Sequence, residues 1–219
     1  MTALDGIAGV ATAARLLRER GLAVGTSGNV SVRLADGRIA LTPATMDPDE
    51  MTADHIVLVS VDGQVVGGRR QASSELPLHL AVYAARPDVA AIVHIHSPFA
   101  TAWSIVRRPI PAVHYILGPL VAPGRDRLGV AEYATFGSDE LARNVVEALG
   151  SDHAVLLASH GAVAVGPDLV TAFARAERVE ELAMLASRAT AIGEPALLEA
   201  DELDRVRDQM ARYPRQTGD

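Results

Sequence analysis

The spacing of apolar residues switches between a helical and a strand period several times along the chain. Residues 4–20 place apolar side chains three or four positions apart, which predicts an amphipathic helix that ends at Gly21. Residues 30–34 alternate between apolar and polar side chains, as a half-buried strand does. The Asp-Gly pair at residues 36–37 then predicts a hairpin turn into a second strand over residues 38–42.

A second hairpin and several helices are predicted in the remainder. Strands over residues 56–61 and 64–66 flank an Asp-Gly pair at 62–63. Beyond them the pattern predicts a helix capped by Ser73 or Ser74 and ending near 85, a strand over 90–96 and an irregular stretch over 109–124. The helices predicted after this stretch run from Ser138 to about 149, over 168–192 and over about 201–212, the last of them charged. Two further strands are predicted over 155–158 and 162–165. Because hairpins are interleaved with helices, we expect an α/β fold. Its sheet is largely antiparallel or mixed, within one domain spanning residues 1–219.

Composition and charge exclude several classes of function. The 219 residues are 49% hydrophobic and carry a formal net charge of −7, which argues against nucleic acid as a partner. No apolar stretch approaches the ~20 residues needed to span a bilayer, so we expect a cytoplasmic protein with no membrane partner. The chain has no cysteine and no lysine, which excludes a thiolate-bound metal and a Schiff base on a lysine side chain.

Three histidines and a glutamate predict a divalent metal site. His94 and His96 stand two residues apart in a predicted buried strand, so their side chains project from the same face. His160 lies between two other predicted strands, and Glu75 lies near the start of a predicted helix. Imidazoles and a carboxylate are the ligands of catalytic divalent ions. Either strand histidine taken alone would more simply be a core residue, and Glu75 alone would favour a helix N-terminus.

Two segments rich in small polar residues predict an anion site. A turn before the first strand and the start of the helix after residue 72 offer backbone N–H groups, hydroxyls and an amide, which bind phosphate without lysine. The residues that we expect to bind phosphate are Thr26, Ser27, Gly28, Asn29, Ser73 and Ser74. In the alternative interpretation the same residues only form a turn and a helix cap.

The other four histidines are predicted to lie near the metal site or on the surface. His79 follows Glu75 by four residues, so it would share a helix face with it and support it from behind. His114 adjoins Tyr115 and would line the site, whereas His55 and His153 are expected at strand starts on the surface.

With these motifs in order, nearly the whole chain resembles the class II aldolase/adducin family, in particular its L-fuculose-1-phosphate aldolase branch. The motifs that carry the resemblance are the Gly28–Arg33 turn and strand, Ser73-Ser74-Glu75, His94-Ile95-His96, residues 110–115, residues 133–137, His160-Gly161 and Tyr213. The resemblance implies a three-layer α/β/α fold and a cyclic homotetramer with active sites between subunits. One departure is visible, because the family's Thr-Pro-(Ser/Thr)-Gly turn reads Thr-Pro-Ala-Thr at residues 42–45. Either the Thr45 hydroxyl compensates for the change, or the phosphate pocket is altered and the substrate is a different or unphosphorylated one.

The resemblance also implies the site and its chemistry. His94, His96, His160 and Glu75 would bind Zn²⁺, or another divalent ion such as Mn²⁺ or Co²⁺, and Glu75 would be the catalytic carboxylate. The remaining catalytic residues would be Tyr115 and Tyr213, which assist proton transfer at the aldehyde oxygen. The expected reaction is cleavage of a ketose 1-phosphate of the fuculose or ribulose type. It yields dihydroxyacetone phosphate and an aldehyde through a metal-stabilised enediolate.

Other functions within the same superfamily stay open at the level of sequence. They are a decarboxylase or aldolase of a related sugar acid or its phosphate, a pentulose-phosphate epimerase and a dehydratase. Glu75 speaks against the epimerase, because similar epimerases usually have aspartate there. The non-enzymatic alternative is an adducin-like interaction module, which the intact metal residues disfavour.

Overall fold

The computed structural model describes residues 6–213, and its centre is an eight-stranded mixed sheet with helices on both faces. The helices are α1 (Gly6–Glu19), α2 (Leu76–Ala85), α3 (Pro98–Val106), α4 (Asp139–Leu149), α5 (Leu169–Ile192) and α6 (Ala200–Ala211). The strands are β1 (Asn29–Arg33), β2 (Ile39–Leu41), β3 (Val57–Val59), β4 (Val65–Gly67), β5 (Ala91–Ile95), β6 (Ile110–Pro111), β7 (Arg127–Leu128), β8 (Val130–Ala131), β9 (Ala154–Leu157) and β10 (Gly161–Gly166).

The order of strands brings distant parts of the sequence together. The main sheet runs β4-β3-β2-β1-β5-β10-β9-β8, and β6 pairs with β7 in a separate two-stranded sheet. Every pair in the main sheet is antiparallel except β8 with β9. The first two hairpins therefore form one side of the sheet, and β5 lies between β1 and β10 near its middle.

Each face of the sheet has its own hydrophobic core. Alternate residues of β5 point to opposite faces, so Val93 packs in the core that includes α1, α3 and α5, and Ile92 packs in the core that includes α2 and α4. His94 lies on the second of these faces. The two helical layers and the mixed sheet confirm the predicted three-layer fold class.

The predicted elements differ from the observed ones in several places. Strands β7 and β8 were not predicted. Helix α3 was not predicted either, because its Ser104 is buried while its Ile105 and Val106 are exposed, the reverse of an amphipathic pattern. Helix α2 begins at Leu76, and Glu75 rather than Ser73 or Ser74 occupies the N-cap. The predicted irregular stretch contains β6 and a 3-10 turn, Tyr115–Leu120.

Two smaller predictions can also be compared with the structure. His55 ends a 3-10 turn two residues before β3 and His153 directly precedes β9, but both are half-buried rather than on the surface. The predicted start of the first helix at residues 4 and 5 lies outside the described residues. Among residues 6–213, no helix combines the length and the apolar character that crossing a membrane requires.

Candidate metal centre

Four side chains from separate parts of the fold meet at one end of the central strands. His94 belongs to β5 and His96 follows it, while His160 lies in the turn that joins β9 to β10. Because β5 and β10 are hydrogen-bonded neighbours, these histidines converge. Glu75 enters from the N-terminus of α2 and is 5% exposed.

The donor atoms of this cluster all lie within 4.8 Å of one another. His94 Nε2 is 2.9 Å from Glu75 Oε2 and 2.8 Å from His96 Nε2, and His160 Nε2 is 3.4 Å from Glu75 Oε1. The three imidazole rings are nearly perpendicular to one another, with centroids 4.6 to 4.9 Å apart. The rings therefore present their nitrogen atoms to a common centre.

Backbone contacts hold two of the ligands in place. His94 Nδ1 donates a hydrogen bond to the carbonyl oxygen of Ala162 at 3.0 Å, which directs Nε2 toward the other side chains of the cluster. The N–H of His160 donates to Ser104 Oγ at 3.2 Å. Gly161 must remain glycine, because a Cβ atom there would lie 2.2 Å from the carbonyl oxygen of Ile95.

The donor set fits a divalent cation. With Nδ1–H of His94 bonded to Ala162, its Nε2 faces a carboxylate oxygen at 2.9 Å, a position in which a proton or a metal cation can lie between the two atoms. Glu75 Oε1 is buried and accepts no hydrogen bond from any described residue. Three imidazoles and one carboxylate match the ligands of zinc and similar ions.

The electrostatics of the cluster keep most of its histidines neutral. Burial, followed by repulsion from His94, lowers the pKa of His96 to about 3 and that of His160 to about 4. Burial opposes the charge of Glu75, but attraction to His94 and His160 outweighs it and holds the pKa of Glu75 below its usual range. The pKa of His94 is raised, because the adjacent Glu75 outweighs the effect of burial. The carboxylate is thus ionised and the other two imidazoles are free to bind a cation.

A cavity of about 510 Å³ opens over the metal centre. All six residues that were predicted from the sequence to bind phosphate line this cavity, together with Glu75, His96 and His160. His94 is fully buried and does not belong to the lining. The remaining lining residues are Pro43, Ala44, Thr45, Tyr133, Ala134, Phe136 and Ser159.

Two of the residues predicted to bind phosphate, Ser27 and Asn29, form side-chain hydrogen bonds within the protein. Both the N–H and the hydroxyl of Ser27 donate to the carbonyl oxygen of Val24, so Ser27 stabilises the turn. Asn29 donates from Nδ2 to Glu75 Oε2 at 2.9 Å, and its Oδ1 faces His79. Its carboxamide therefore supports the Glu75 carboxylate, a contact that sequence reasoning missed. No local pattern shows this contact, because it depends on the β1–β5 register, which places Asn29 directly opposite His94.

The altered turn at residues 43–45 forms one wall of the cavity. Thr45 adopts φ 52°, a left-handed conformation that is unfavourable for a β-branched residue. The N–H of Ala44 donates to the carbonyl oxygen of Gln71 and is already occupied. This wall therefore offers the Thr45 hydroxyl where a glycine would leave open backbone.

The two tyrosines do not join the cluster within one chain. Tyr115 is 47% exposed and Tyr213 is 73% exposed, and neither belongs to the described residues that line the cavity. His114 packs its ring against Tyr115 at 4.4 Å and is likewise absent from that lining. Tyr133 and Phe136 line the cavity instead, although residues 133–137 were used only as a family motif and no role in the site was predicted for them.

Comparison with known proteins places the chain in a family. Residues 8–187 match the family described as Class II Aldolase and Adducin N-terminal domain. The chain belongs to the class II aldolase and adducin family. This confirms the resemblance that the ordered motifs indicated.

Three similar proteins cover most of the chain. A 5-methylthioribulose-1-phosphate/5-deoxyribulose-1-phosphate aldolase of Rhodospirillum rubrum is 41% identical over 94% of this chain and 90% of its own length. An L-fuculose phosphate aldolase of Escherichia coli is 42% identical over 83% of this chain and 82% of its own. A solved structure of an L-fuculose 1-phosphate aldolase superposes with a TM-score of 0.89 at 36% identity, covering 96% of this chain and 98% of that one.

Proposed function

We propose that this protein is a metal-dependent aldolase that cleaves a ketose 1-phosphate into dihydroxyacetone phosphate and an aldehyde. The observation that carries the proposal is the cluster of Glu75, His94, His96 and His160 at the base of a cavity walled by hydroxyl-bearing residues. The similarity to aldolases of ribulose-type and fuculose phosphates supports the same reaction class.

The three histidines would hold the cation, with Glu75 as a fourth ligand. We propose Zn²⁺, although the same donors also suit Mn²⁺ and Co²⁺. When bound, a divalent cation supplies Lewis acidity that polarises the substrate carbonyl and stabilises the enediolate. Without lysine the chain has no side-chain amine for the alternative Schiff-base route.

Glu75 is the group that we assign to proton transfer at carbon. In cleavage the C3–C4 bond of the ketose breaks, the C4 hydroxyl loses its proton and C4 becomes the aldehyde carbon. The electron pair stays on C2–C3 as an enediolate, and Glu75 delivers a proton to C3. In condensation the Glu75 carboxylate, held ionised by His94 and His160, removes that same proton. One proton leaves the hydroxyl and one is added at carbon, so the reaction balances.

The turn of Thr26 and Gly28 together with Ser73 and Ser74 is the proposed phosphate subsite. These residues line the same cavity as Glu75 and provide hydroxyls and backbone N–H groups. Tyr133, Ala134 and Phe136 form a more apolar wall of the same cavity. That wall suits an aldehyde product without a terminal hydroxyl, such as the one that 5-deoxyribulose 1-phosphate would release.

Tyr115 and Tyr213 fit the proposal only through a second copy of the chain. Both are exposed and lie outside the cavity lining, as residues that serve a neighbouring subunit's site would. We therefore propose a homotetramer in which these phenols assist proton transfer at the aldehyde oxygen of an adjacent site. The cytoplasmic location expected from the sequence stays a prediction.

The test is a turnover panel on zinc-loaded protein. Its members are 5-deoxyribulose 1-phosphate, fuculose 1-phosphate, ribulose 1-phosphate, the three unphosphorylated ketoses and a 3-keto sugar-acid phosphate, with aldehyde, dihydroxyacetone phosphate and CO₂ all detected. We expect dihydroxyacetone phosphate from the ketose 1-phosphates, with 5-deoxyribulose 1-phosphate cleaved best. Glu75→Gln should reduce kcat by about 10² to 10⁴, the usual contribution of a general base.

The matched control is Glu147→Gln, which removes an exposed glutamate on α4. It should leave turnover unchanged, and treatment with a chelator should abolish turnover in both control and wild type. Release of CO₂ without an aldehyde would replace the aldolase by a decarboxylase. Bound metal without turnover of any ketose would overturn the proposal.

A further inference from the structure

A line of polar side chains runs behind Glu75 through the core between the sheet and α2. Asn29 and Ser31 stand two residues apart on β1, so they share one face of the strand. His79 and Tyr83 stand four apart on α2 and face them. Ser31 and His79 are fully buried, and Asn29 and Tyr83 are nearly so. We name Asn29, His79, Ser31 and Tyr83 the polar ladder.

Four short hydrogen bonds connect the ladder to Glu75. Asn29 Nδ2 lies 2.9 Å from Glu75 Oε2, and Asn29 Oδ1 lies 2.5 Å from His79 Nε2. On the other side of the ring, His79 Nδ1 lies 2.6 Å from Ser31 Oγ, which lies 2.8 Å from the hydroxyl of Tyr83. Every polar group of the ladder is thus bonded to the next one.

The chemistry of the groups fixes the direction of every bond. The carboxylate of Glu75 can only accept, so the amide nitrogen of Asn29 faces it and Asn29 Oδ1 must accept from His79 Nε2–H. Burial lowers the pKa of His79 to about 3, so the ring is neutral and its Nδ1 accepts from Ser31. The hydroxyl of Ser31 is then free to accept from Tyr83. All four bonds point toward Glu75.

We infer that His79 is a positioning residue that holds Asn29 in the one orientation in which its amide donates to Glu75. Without the N–H of His79, the oxygen of the Asn29 carboxamide loses its donor, and only the carboxylate of Glu75 still favours the flip in which the amide donates. This inference rests on the proposed role of Glu75 in proton transfer. Ser31 and Tyr83 support it by fixing the tautomer of His79.

A purely structural role does not account for the ladder. Apolar side chains already fill the surrounding core, including Leu78, Val82 and Ile92. Buried polar groups stabilise a fold little better than well-packed apolar ones and are costly when any partner is missing. The outer end is held as well, because the guanidinium of Arg33 lies 4.8 Å over the Tyr83 ring and donates to the carbonyl oxygen of Tyr83. The side chains of the polar ladder are therefore restrained from rotating at every position between Glu75 and Tyr83.

The kinetic test compares two substitutions of one residue with a packing control. His79→Leu removes both ring nitrogens, whereas His79→Gln retains an N–H donor for Asn29. Val82→Ala disturbs the same helix without touching the ladder. In zinc-loaded protein, we expect His79→Leu to lower kcat by about 10- to 100-fold. KM should stay within about 3-fold, since substrate binding is not the step affected. His79→Gln should recover most of kcat, and Val82→Ala should keep it.

A spectroscopic readout on metal-free protein tests the inference independently of turnover. In ¹⁵N NMR of histidine-labelled protein, His79 should be the neutral Nε2–H tautomer. The Asn29 side-chain amide should exchange slowly with solvent in wild type and His79→Gln, and quickly in His79→Leu.

An Nδ1–H tautomer, or an Asn29 amide unchanged in His79→Leu, would overturn the inference. So would wild-type kcat in His79→Leu, or an equal loss of kcat in Val82→Ala. If wild type cleaves no ketose 1-phosphate, the proposed function fails while the NMR result still decides the orientation of the ladder.

Discussion

Glu75 is surrounded by groups that favour its charged form. It is buried, which would raise its pKa, yet His94, His160 and the amide of Asn29 together lower it. Glu75 is therefore suited to two roles in the proposed reaction: it can bind the metal as an anion, and it can act as the base that removes a proton from carbon. The neighbouring imidazoles obtain their neutral state from burial rather than from hydrogen bonding.

The metal-free protein should lose stability as the pH falls from about 6.5 to about 4. Folding lowers the pKa of His79 and His96 to about 3 and that of His160 to about 4, so in this window the unfolded chain binds more protons. Each such proton decreases the free energy of unfolding by about 1.4 kcal/mol per pH unit. Urea unfolding at a series of pH values, with a chelator present, measures this slope.

His94 does not change the slope in that window. Its pKa is raised by folding, so it is protonated in both states below its ordinary value, and its contribution to stability is lost only at higher pH. The variant His79→Gln should show a slope that is shallower by about one proton. An unfolding free energy that stays constant between these pH values would contradict the prediction.

Helix α3 positions a metal ligand although it carries no ligand itself. Its residue Ser104 accepts from the N–H of His160 through Oγ and from the N–H of Ser159 through its carbonyl oxygen. Ser159 adopts φ 54°, so the turn that presents His160 is held in an unusual backbone conformation by these contacts. The N-terminus of α3 is in turn fixed by α5, because Glu180 accepts from the N–H groups of Phe99 and Ala100 at 3.0 and 2.8 Å.

Replacing Glu180 with alanine should weaken both the helix and the metal site. Loss of a helix cap costs about 0.5 to 2 kcal/mol, which chemical denaturation would show directly. Since α3 holds the His160 turn, zinc affinity measured by competition with a chelator should fall as well. Glu181→Ala is the matched control, because Glu181 is the exposed neighbour on the same helix. Equal effects of the two variants would show that the cap is not responsible.

In the whole molecule, the two tyrosines that are proposed to assist the reaction lie on the surface away from the cavity. Tyr115 and Tyr213 are exposed and outside the cavity lining in the described chain, while Glu75 is buried at its base. A cyclic assembly in which each chain lends these phenols to its neighbour would complete the site.

Subunit mixing tests this arrangement. Glu75→Gln and the double variant Tyr115→Phe/Tyr213→Phe should each be nearly inactive alone. If they are unfolded and refolded together in equal amounts, random assembly should restore roughly a quarter of the sites, because each intact site needs Glu75 from one chain and both tyrosines from another. Turnover after mixing measures the recovery.

The control for mixing is each variant carried through the same refolding by itself. Sedimentation velocity should show one species larger than the monomer in every sample. No recovery in a mixture that assembles normally would place the tyrosines in the same subunit as Glu75, whereas a double variant that is active alone would place them outside the reaction.

Elements with a local signal were predictable from the sequence. The Asp-Gly hairpins, the Ser138 cap and the helix that ends before Gly193 all depend on residues within one turn of the boundary, and the structure has them. Helix α3 was not predicted because its polar Ser104 is buried while its apolar Ile105 and Val106 are exposed, so the usual amphipathic pattern is missing. The start of α2 was shifted because the Glu75 side chain turns into the histidine cluster and the Ser73 hydroxyl accepts from the N–H of Glu75.

Strand alternation and turn residues in the sequence were enough to predict the mixed fold, and the ordered histidine and glutamate motifs were enough to indicate the family and the candidate metal ligands. The sequence could not show which strand lies beside β5, that Asn29 donates to Glu75, or that His79 contacts Asn29. These contacts join residues about 50 positions apart, and strand order and helix docking, rather than any local pattern, bring them within hydrogen-bonding distance.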